Sequence, residues 1–482
     1  MTEESAAADA KRLPAVLLVL VGLLALLHLA LPLVWLGQVA QLNYNEGWNA
    51  YHAEAVLSER PLYPAPDALF PNNYPPLSFG IVAPLGALLG DPIRAGRLLS
   101  LLSLLAIGGA IAAILRRACA STPLGLFGGL LFVALLSAAF PDYVCMNDPQ
   151  LTAHALMLTG LALLLGGHTP ARAGSAALLM ILGGLVKHNL IALPLAVTLW
   201  LWGRDRAALR WWLAASAGLG LAALASLWLL FGASPFESIF AERIASLRTA
   251  ARGSSLYLPS LAAPLAIGLL AARPAWRDRD ARLLVLYAAL SLAIGFAFTA
   301  GEGVSHNAYF DLLIALCLLG PWLVSRAPRL LPGLAGAAPA LALGLLLGPG
   351  IGAPDALLGF GKKTAELAAL ESATRADIDL LAARAGPALC ESLALCFWAG
   401  KPVGVDLFNS RQAFHAGRAD EAALLARLAR SEFSVVQLTA LYRDRDDSRV
   451  SAQFTRELLR NYVIERNSAN GVFLRPRRGP TR

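Results

Sequence analysis

Charge is what this chain has least of. Only 15% of its 482 residues are Asp, Glu, Lys or Arg, against 57% hydrophobic, and its mean hydropathy is +0.58. A soluble domain carries about 25% charged residues, so an ordinary soluble fold and a disordered chain are both excluded. Glycine is plentiful, yet it forms neither a P-loop nor a dinucleotide fingerprint, which argues against ATP-driven transport by this chain alone. His188 and His306 stand alone, and no histidine or cysteine spacing is diagnostic of a metal site. Internal repeats and low-complexity tracts are absent. The N-terminus MTEESAAADAKRLPAVLL shows no small-residue cleavage site after its apolar run and predicts a retained first helix.

What is present is hydrocarbon-compatible helix. A ~30 Å apolar core needs roughly 20 residues, and such stretches recur from Ala15 to about Leu347. They predict an α-helical polytopic membrane protein with about eleven transmembrane helices, at 14–36, 93–115, 122–140, 150–167, 173–187, 189–203, 211–232, 257–272, 282–300, 309–325 and 329–349. Residues 1–350 form a transmembrane domain with an outer loop at 37–92. Residues 351–482 have soluble composition and predict a small α/β domain.

Net charge is +8, but the basic residues do not gather on one face as nucleic-acid binding would require. Arg116 and Arg117, Arg172, Arg204 and Arg206, the run RPAWRDRDAR and Arg326 with Arg329 fall in every second loop. The positive-inside rule makes those loops cytoplasmic and puts the 37–92 loop, Asp148, Glu302 and the tail on the other face. Residues 77–90 fit an interfacial helix after a double proline, 46–59 a second one, and 235–252 a basic surface helix suited to anionic headgroups or a phosphorylated substrate. In the tail, helices are expected at 365–373, 375–385, 421–430 and 451–461, and strands near 388–395, 402–405, 434–438 and 462–475, the last broken at Asn470-Gly471. Cys390 and Cys396 lie outside the membrane as a candidate disulfide pair that spacing alone leaves open.

Ionisable groups at membrane boundaries are the candidates for chemistry. Glu46 follows the first span in Tyr44-Asn45-Glu46-Gly47-Trp48, where it could serve as a general base or merely favour a helix start. Asp142 and Asp148 lie in the next outer loop, PDYVCMNDPQL, with capping as the alternative role. Lys187 and His188 interrupt an apolar run, and a lysine at membrane depth costs roughly 2.5–3.5 kcal/mol unless it snorkels or finds a partner such as phosphate. Arg94 and Arg97 share a helix face and suit a phosphate ester or lipid headgroups. His306, Asn307 and Tyr309 (GEGVSHNAYF) offer mixed donors and acceptors that suit sugar hydroxyls.

NEGWNAYHAEAVL, NNYPPLSF, AGRLLSLL, NDPQLTAHALML and GGLVKHN, in that order and on one membrane side, resemble the GT-C superfamily of membrane glycosyltransferases, especially the bacterial branch of protein O-mannosyltransferases and lipid A aminoarabinose transferases. The likeness spans residues 14–350. It implies an inverting transfer from a polyprenyl-phosphate sugar to a glycan, lipid or protein acceptor on the periplasmic face of a bacterial inner membrane. By that resemblance Glu46 and Asp148 are the catalytic acids. Lys187, Arg97 and Arg94 bind the donor phosphate, and Asn45, Tyr74, His188, His306, Asn307 and Tyr309 line the substrate site. The chain departs from the family in having Asn45 where an Asp is usual and Tyr74 where a basic residue often precedes the double proline. No cofactor is implied with certainty, and a divalent cation between two outer carboxylates stays open. A lipid-linked-saccharide carrier and a non-catalytic scaffold are the competing readings. A carrier should place polar groups near mid-membrane.

Overall fold

The computed structural model describes residues 3–65, 67–241, 243–330, 336–441 and 449–477, with side chains from residue 15 onward. Helices α1 (Glu3–Trp35), α2 (Asn45–Val56), α3 (Leu77–Leu89), α4 (Pro92–Cys119), α5 (Thr122–Ala139), α6 (Pro141–Val144), α7 (Gln150–Leu164), α8 (Pro170–Val186) and α9 (Ala192–Arg204) make the first half. They are followed by α10 (Arg206–Phe231), α11 (Ser234–Ile239), α12 (Leu247–Tyr257), α13 (Ala262–Arg277), α14 (Arg282–Phe298), α15 (Phe310–Leu330), α16 (Ala337–Leu345), α17 (Leu347–Leu358) and α18 (Phe360–Ala383). Several boundaries are written locally. Asp91, Ser121 and Thr169 cap α4, α5 and α8 by accepting first-turn N–H groups, each with a proline in the first turn.

Among the described residues six segments are long and apolar enough to cross a membrane: Ala15–Trp35, Pro92–Cys119, Thr122–Ala139, Arg206–Phe231, Leu247–Arg277 and His306–Leu330. The pair α16 and α17, bent by 48°, makes a seventh if it is one broken span. The other expected spans are shorter helices, of 15 residues for α7, 17 for α8 and α14, and 13 for α9. At 1.5 Å per residue α9 reaches only about 20 Å, so the expectation of about eleven full-length spans is corrected to this smaller set plus shorter apolar helices. The expected span at 329–349 is also replaced: α15 runs through Leu330, residues 331–335 lie outside the described set, and helix resumes at Ala337.

The bundle is centred on α15, which is buried along nearly its whole apolar stretch, while α10 lies at the rim and buries only Ala208, Leu209, Trp212 and Leu227. An all-round apolar helix belongs at such a centre. Helices α4 and α5 approach through glycine, since a Cβ on Gly129 would stand 2.3 Å from the Gly108 carbonyl oxygen.

The tail forms a four-stranded sheet, β1 (Ala388–Cys390), β2 (Val435–Leu438), β3 (Tyr462–Ser468) and β4 (Gly471–Pro476), in the order β1-β2-β4-β3. Only β1 and β2 are parallel. The Asn470-Gly471 turn splits the expected 462–475 strand into a hairpin, with Gly471 at φ 109°. Helices α19 (Leu393–Trp398), α20 (Leu407–His415), α21 (Glu421–Ala429) and α22 (Ala452–Asn461) complete it. The two helices expected at 365–373 and 375–385 are one continuous helix, α18, which ends at Ala383. No strand occurs at 402–405, where Pro402 lacks an N–H for a ladder. Helix α20 was not foreseen, although Asp406 caps it through Phe408 N and Asn409 N. Residues 235–252 are not one helix either: α11 ends at Ile239, and Ala245 bridges to Gly301 before α12 begins. Cys390 and Cys396 are disulfide-bonded.

The tail docks on the first loop. A Cβ on Gly47 of α2 would stand 2.1 Å from the Ala394 nitrogen of α19, so only glycine permits this approach. Tyr51 donates to the Lys401 carbonyl at 2.7 Å, and Trp398 donates to Asp91 at 3.2 Å.

Candidate active site

The sequence NEGW starts α2 with two polar side chains that diverge. Glu46 turns inward and is fully buried against Arg97 of α4, also fully buried. Arg97 Nε and Nη2 donate to its two carboxylate oxygens at 2.7 and 2.8 Å. Nη1 donates to the Trp35 and Gln38 carbonyls at 2.9 and 2.7 Å, and Nη2 also donates to the Ala40 carbonyl at 2.6 Å. All five guanidinium donors are thereby used. Glu46 also accepts from Leu42 N at 2.7 Å and Asn147 N at 3.2 Å. Between them these two residues clasp the start of the first loop to α4 and to the second loop, and neither has capacity left for a substrate.

Asn45 points the other way. Its Nδ2 donates to Asp148 Oδ2 at 3.3 Å, while Asp148 Oδ1 accepts from Gln150 N at 2.9 Å at the start of α7 and lies 4.0 Å from Lys187 Nζ. Lys187, at the end of α8, places its ammonium 3.8 Å above the ring of Tyr74. Asp148 and Lys187 are 5% and 4% exposed. In front of them opens a cavity of about 620 Å³ lined by Asn45, Trp48, Tyr74, Lys187, His188, Arg243, Asn307 and, from the tail, Phe408, Gln412 and Arg449. Among the described residues the lining carries Lys187, Arg243 and Arg449 and no carboxylate, which makes it a place for anions. The indole N–H of Trp48 has no partner and sits on the same wall.

Burial raises the Tyr74 hydroxyl above its ordinary pKa, and Lys187 partly offsets that. Burial, then the positive charges of Lys187 and Arg243, push His188 down to about 4 from 6.5. The unfolded chain therefore takes up this proton first as pH falls. Its stabilising contribution is complete above pH 6.5 and is lost between 6.5 and 4. His188→Asn is expected to flatten the acid side of the stability curve, by roughly 1–3 kcal/mol, in thermal unfolding of the lipid-reconstituted protein from pH 7 to 4.5. An unchanged slope would mean that His188 is solvated.

Three other candidates stand apart from this cavity. Arg94 is half-exposed, pairs with Asp91 at 3.6 Å and lines a separate cleft with Arg375, Asp379 and Trp398. His306 stacks on Phe140 with ring centres 4.7 Å apart, and its Nε2 lies 3.9 Å from Asp142. Tyr309 is fully buried, with its hydroxyl 2.6 Å from Ser254 Oγ. The turn His306–Tyr309 is a tight helical turn whose neighbours point in different directions, so only Asn307 of the three reaches the cavity. Sequence reasoning passed over Arg449 and the buried group His154, Asp311 and Tyr287, and placed Arg243 only within the basic 235–252 segment. An acid one residue into an apolar run, as in FDLLIALCLL, was the available signal for Asp311. Among the described residues no three His, Cys, Asp or Glu side chains gather as a metal cage.

No family model and no curated protein matches the sequence. Solved structures do match. ArnT from Cupriavidus metallidurans in the apo state superposes with a TM-score of 0.55 at 16% identity, over 97% of this chain and 98% of that one. The same enzyme bound to undecaprenyl phosphate gives 0.58 at 17%, over 95% and 97%. The fold is that of the GT-C membrane glycosyltransferases. The archaeal oligosaccharyltransferase AglB from Archaeoglobus fulgidus, in complex with an inhibitory peptide and a dolichol-phosphate, gives 0.50 at 12%, over 89% of this chain and 69% of that one. At these identities the GT-C likeness is one of fold.

Proposed function

We propose that this chain is an inverting glycosyltransferase that moves a sugar from a polyprenyl-phosphate donor to an acceptor of the cell envelope. The observation that carries the reading is the juxtaposition of Lys187, a cation on the wall of that cavity, with Asp148, an acid 4.0 Å behind it. The match to a structure holding undecaprenyl phosphate supports the donor class. Asp148 takes the proton of the acceptor hydroxyl as its oxygen forms a bond to the anomeric carbon. The bond from that carbon to the phosphate oxygen breaks on the opposite face. The phosphate leaves with the electron pair and is held by Lys187, with Arg243 and Arg449 across the cavity. Asn45 orients the carboxylate, and Tyr74 supports the ammonium. Phe240, 73% exposed at the cavity mouth, suits the prenyl chain. Glu46 and Arg97 are assigned here to architecture.

In this reading the shorter apolar helices α7, α8 and α14 also sit within the membrane, packed against neighbours. The cavity and the tail, residues 351–482, then face the periplasmic side of a bacterial inner membrane. The tail roofs the site through Phe408, Gln412 and Arg449.

The test is transfer from radiolabelled polyprenyl-phosphate sugars by purified protein in lipid, with Lys187→Ala beside wild type. Loss of one charge-assisted contact should weaken donor binding by about 1.5–3 kcal/mol, or roughly 10- to 150-fold. Donor binding without transfer to any acceptor would favour the carrier or scaffold reading, and unchanged binding would remove Lys187 from the phosphate site.

A further inference from the structure

Behind Asn307 a line of buried polar groups runs into the bundle. Gln150 and His154 of α7 are each 1% exposed, Asp311 of α15 is 7% exposed and Tyr287 of α14 is fully buried. Asn307 Nδ2 donates to Gln150 Oε1 at 3.0 Å. Gln150 Nε2 in turn faces the Asn307 backbone carbonyl at 3.5 Å and His154 Nε2 at 2.9 Å. His154 Nδ1 lies 3.7 Å from Asp311 Oδ1, which accepts from the Tyr287 hydroxyl at 2.5 Å.

Donor and acceptor rules orient the whole line. A backbone carbonyl only accepts, so the Gln150 atom facing it is the amide nitrogen. That nitrogen also donates to His154 Nε2, which must be the bare ring nitrogen, leaving the proton on Nδ1, which makes no hydrogen bond among the described residues and meets the Asp311 carboxylate only as a charge 3.7 Å away. With Gln150 fixed, its oxygen holds the Asn307 nitrogen. Asn307 Oδ1 takes no hydrogen bond within the described residues and is the amide atom left for a ligand in the cavity. An intramembrane carboxylate is costly, and a role in the site explains its presence better than packing does.

We propose that Asn307 reads a hydroxyl of the transferred sugar through Oδ1, and that Asp311, acting through His154 and Gln150, is the positioning residue that holds the amide in that orientation. The identity of the ligand rests on the glycosyltransferase reading above. A hydroxyl is the fitting donor, because an ammonium would enter a cavity already lined by the cations Lys187, Arg243 and Arg449.

The experiment uses the full chain in lipid nanodiscs and a panel of polyprenyl-phosphate hexoses with monodeoxy and amino counterparts, read by equilibrium binding and, where transfer occurs, by kcat/KM. Asn307→Ala should weaken the hydroxylated donor about 10- to 100-fold and leave one matching deoxy donor within about twofold. Asp311→Leu should show the same selective loss, seen mainly in Kd or KM. A merely structural role would weaken both donors equally and would overturn the proposal, as would tighter binding of the amino donor. Nitrogen NMR of histidine-labelled protein, with His154→Gln to assign the signal, should find neutral His154 protonated on Nδ1. A proton on Nε2, or on both nitrogens, would break the chain of orientations. Binding and NMR need no turnover, so failure of transfer alone would count against the enzyme reading and not against this one.

Discussion

Asp148→Asn is expected to reduce sugar transfer by about 10²- to 10⁴-fold, the range of general-base catalysis, while donor affinity stays within about threefold. The substitution is close to isosteric. Its amide oxygen can keep the bond from Gln150 N at 2.9 Å that starts α7, and the side chain stays near Asn45, so the loop has little reason to move. What disappears is the site's acceptor for a proton, together with the negative charge 4.0 Å from Lys187. Single-turnover transfer with donor bound in advance separates the chemical step from binding. A loss below tenfold would remove Asp148 as the base. A loss matched by an equal fall in donor affinity would make it a binding residue instead.

The second large effect is on folding. Glu46→Gln and Arg97→Met should each destabilise the protein by about 3–5 kcal/mol, because each leaves a fully buried charge without its partner. Arg97→Met should be the worse of the two, since it also strips the carbonyls of Trp35, Gln38 and Ala40 of their donor. Thermal unfolding in lipid and protease resistance of the first loop would register both losses. Activity per folded molecule should fall far less for Glu46→Gln than for Asp148→Asn. If instead Glu46→Gln melts like wild type and transfers nothing, the carboxylate reacts with substrate and the clasp opens during turnover.

The two predictions separate two acids that local sequence leaves equally open. Glu46 follows a span and sits among aromatics at a helix start, which suits a general base or a helix-favouring charge alike. Asp148 before Pro149 reads equally well as a cap. One residue along a helix turns a side chain by about 100°, so Asn45 and Glu46 face different partners although their chemical surroundings in the sequence are the same. Which of the two meets the cavity depends on where α4 crosses, because Arg97 is 51 residues away. The same limit applies to His306, Asn307 and Tyr309, three neighbours with three destinations. Arg243 belongs to the basic segment suited to a phosphorylated substrate, but its place on the cavity wall was not legible. A continuous amphipathic helix was expected across 235–252, and the break after Ile239 that brings Arg243 to the cavity comes from a bridge between Ala245 and Gly301, a contact no local window contains.

By itself the sequence determined what depends on near neighbours and on solvent preference. It specified a helical membrane chain, the polar loop after the first span, the helix opened by a double proline, the caps and proline starts of the spans, the hairpin at Asn470-Gly471 and the concentration of Asn45, Tyr74, Asp148, Lys187 and His188 near one membrane boundary. These follow from hydropathy, helical period and backbone propensity, whose free energies are summed over a few consecutive residues. Only the tertiary structure decided that Arg97 spends all its donors on Glu46 and backbone carbonyls, that short helices stand where full spans were expected, that the tail brings Phe408, Gln412 and Arg449 over the cavity, and that a buried Asp311 orients an amide on its wall. A buried polar group must be satisfied by whichever partner three-dimensional packing brings to it, and that partner is on average far away in the chain.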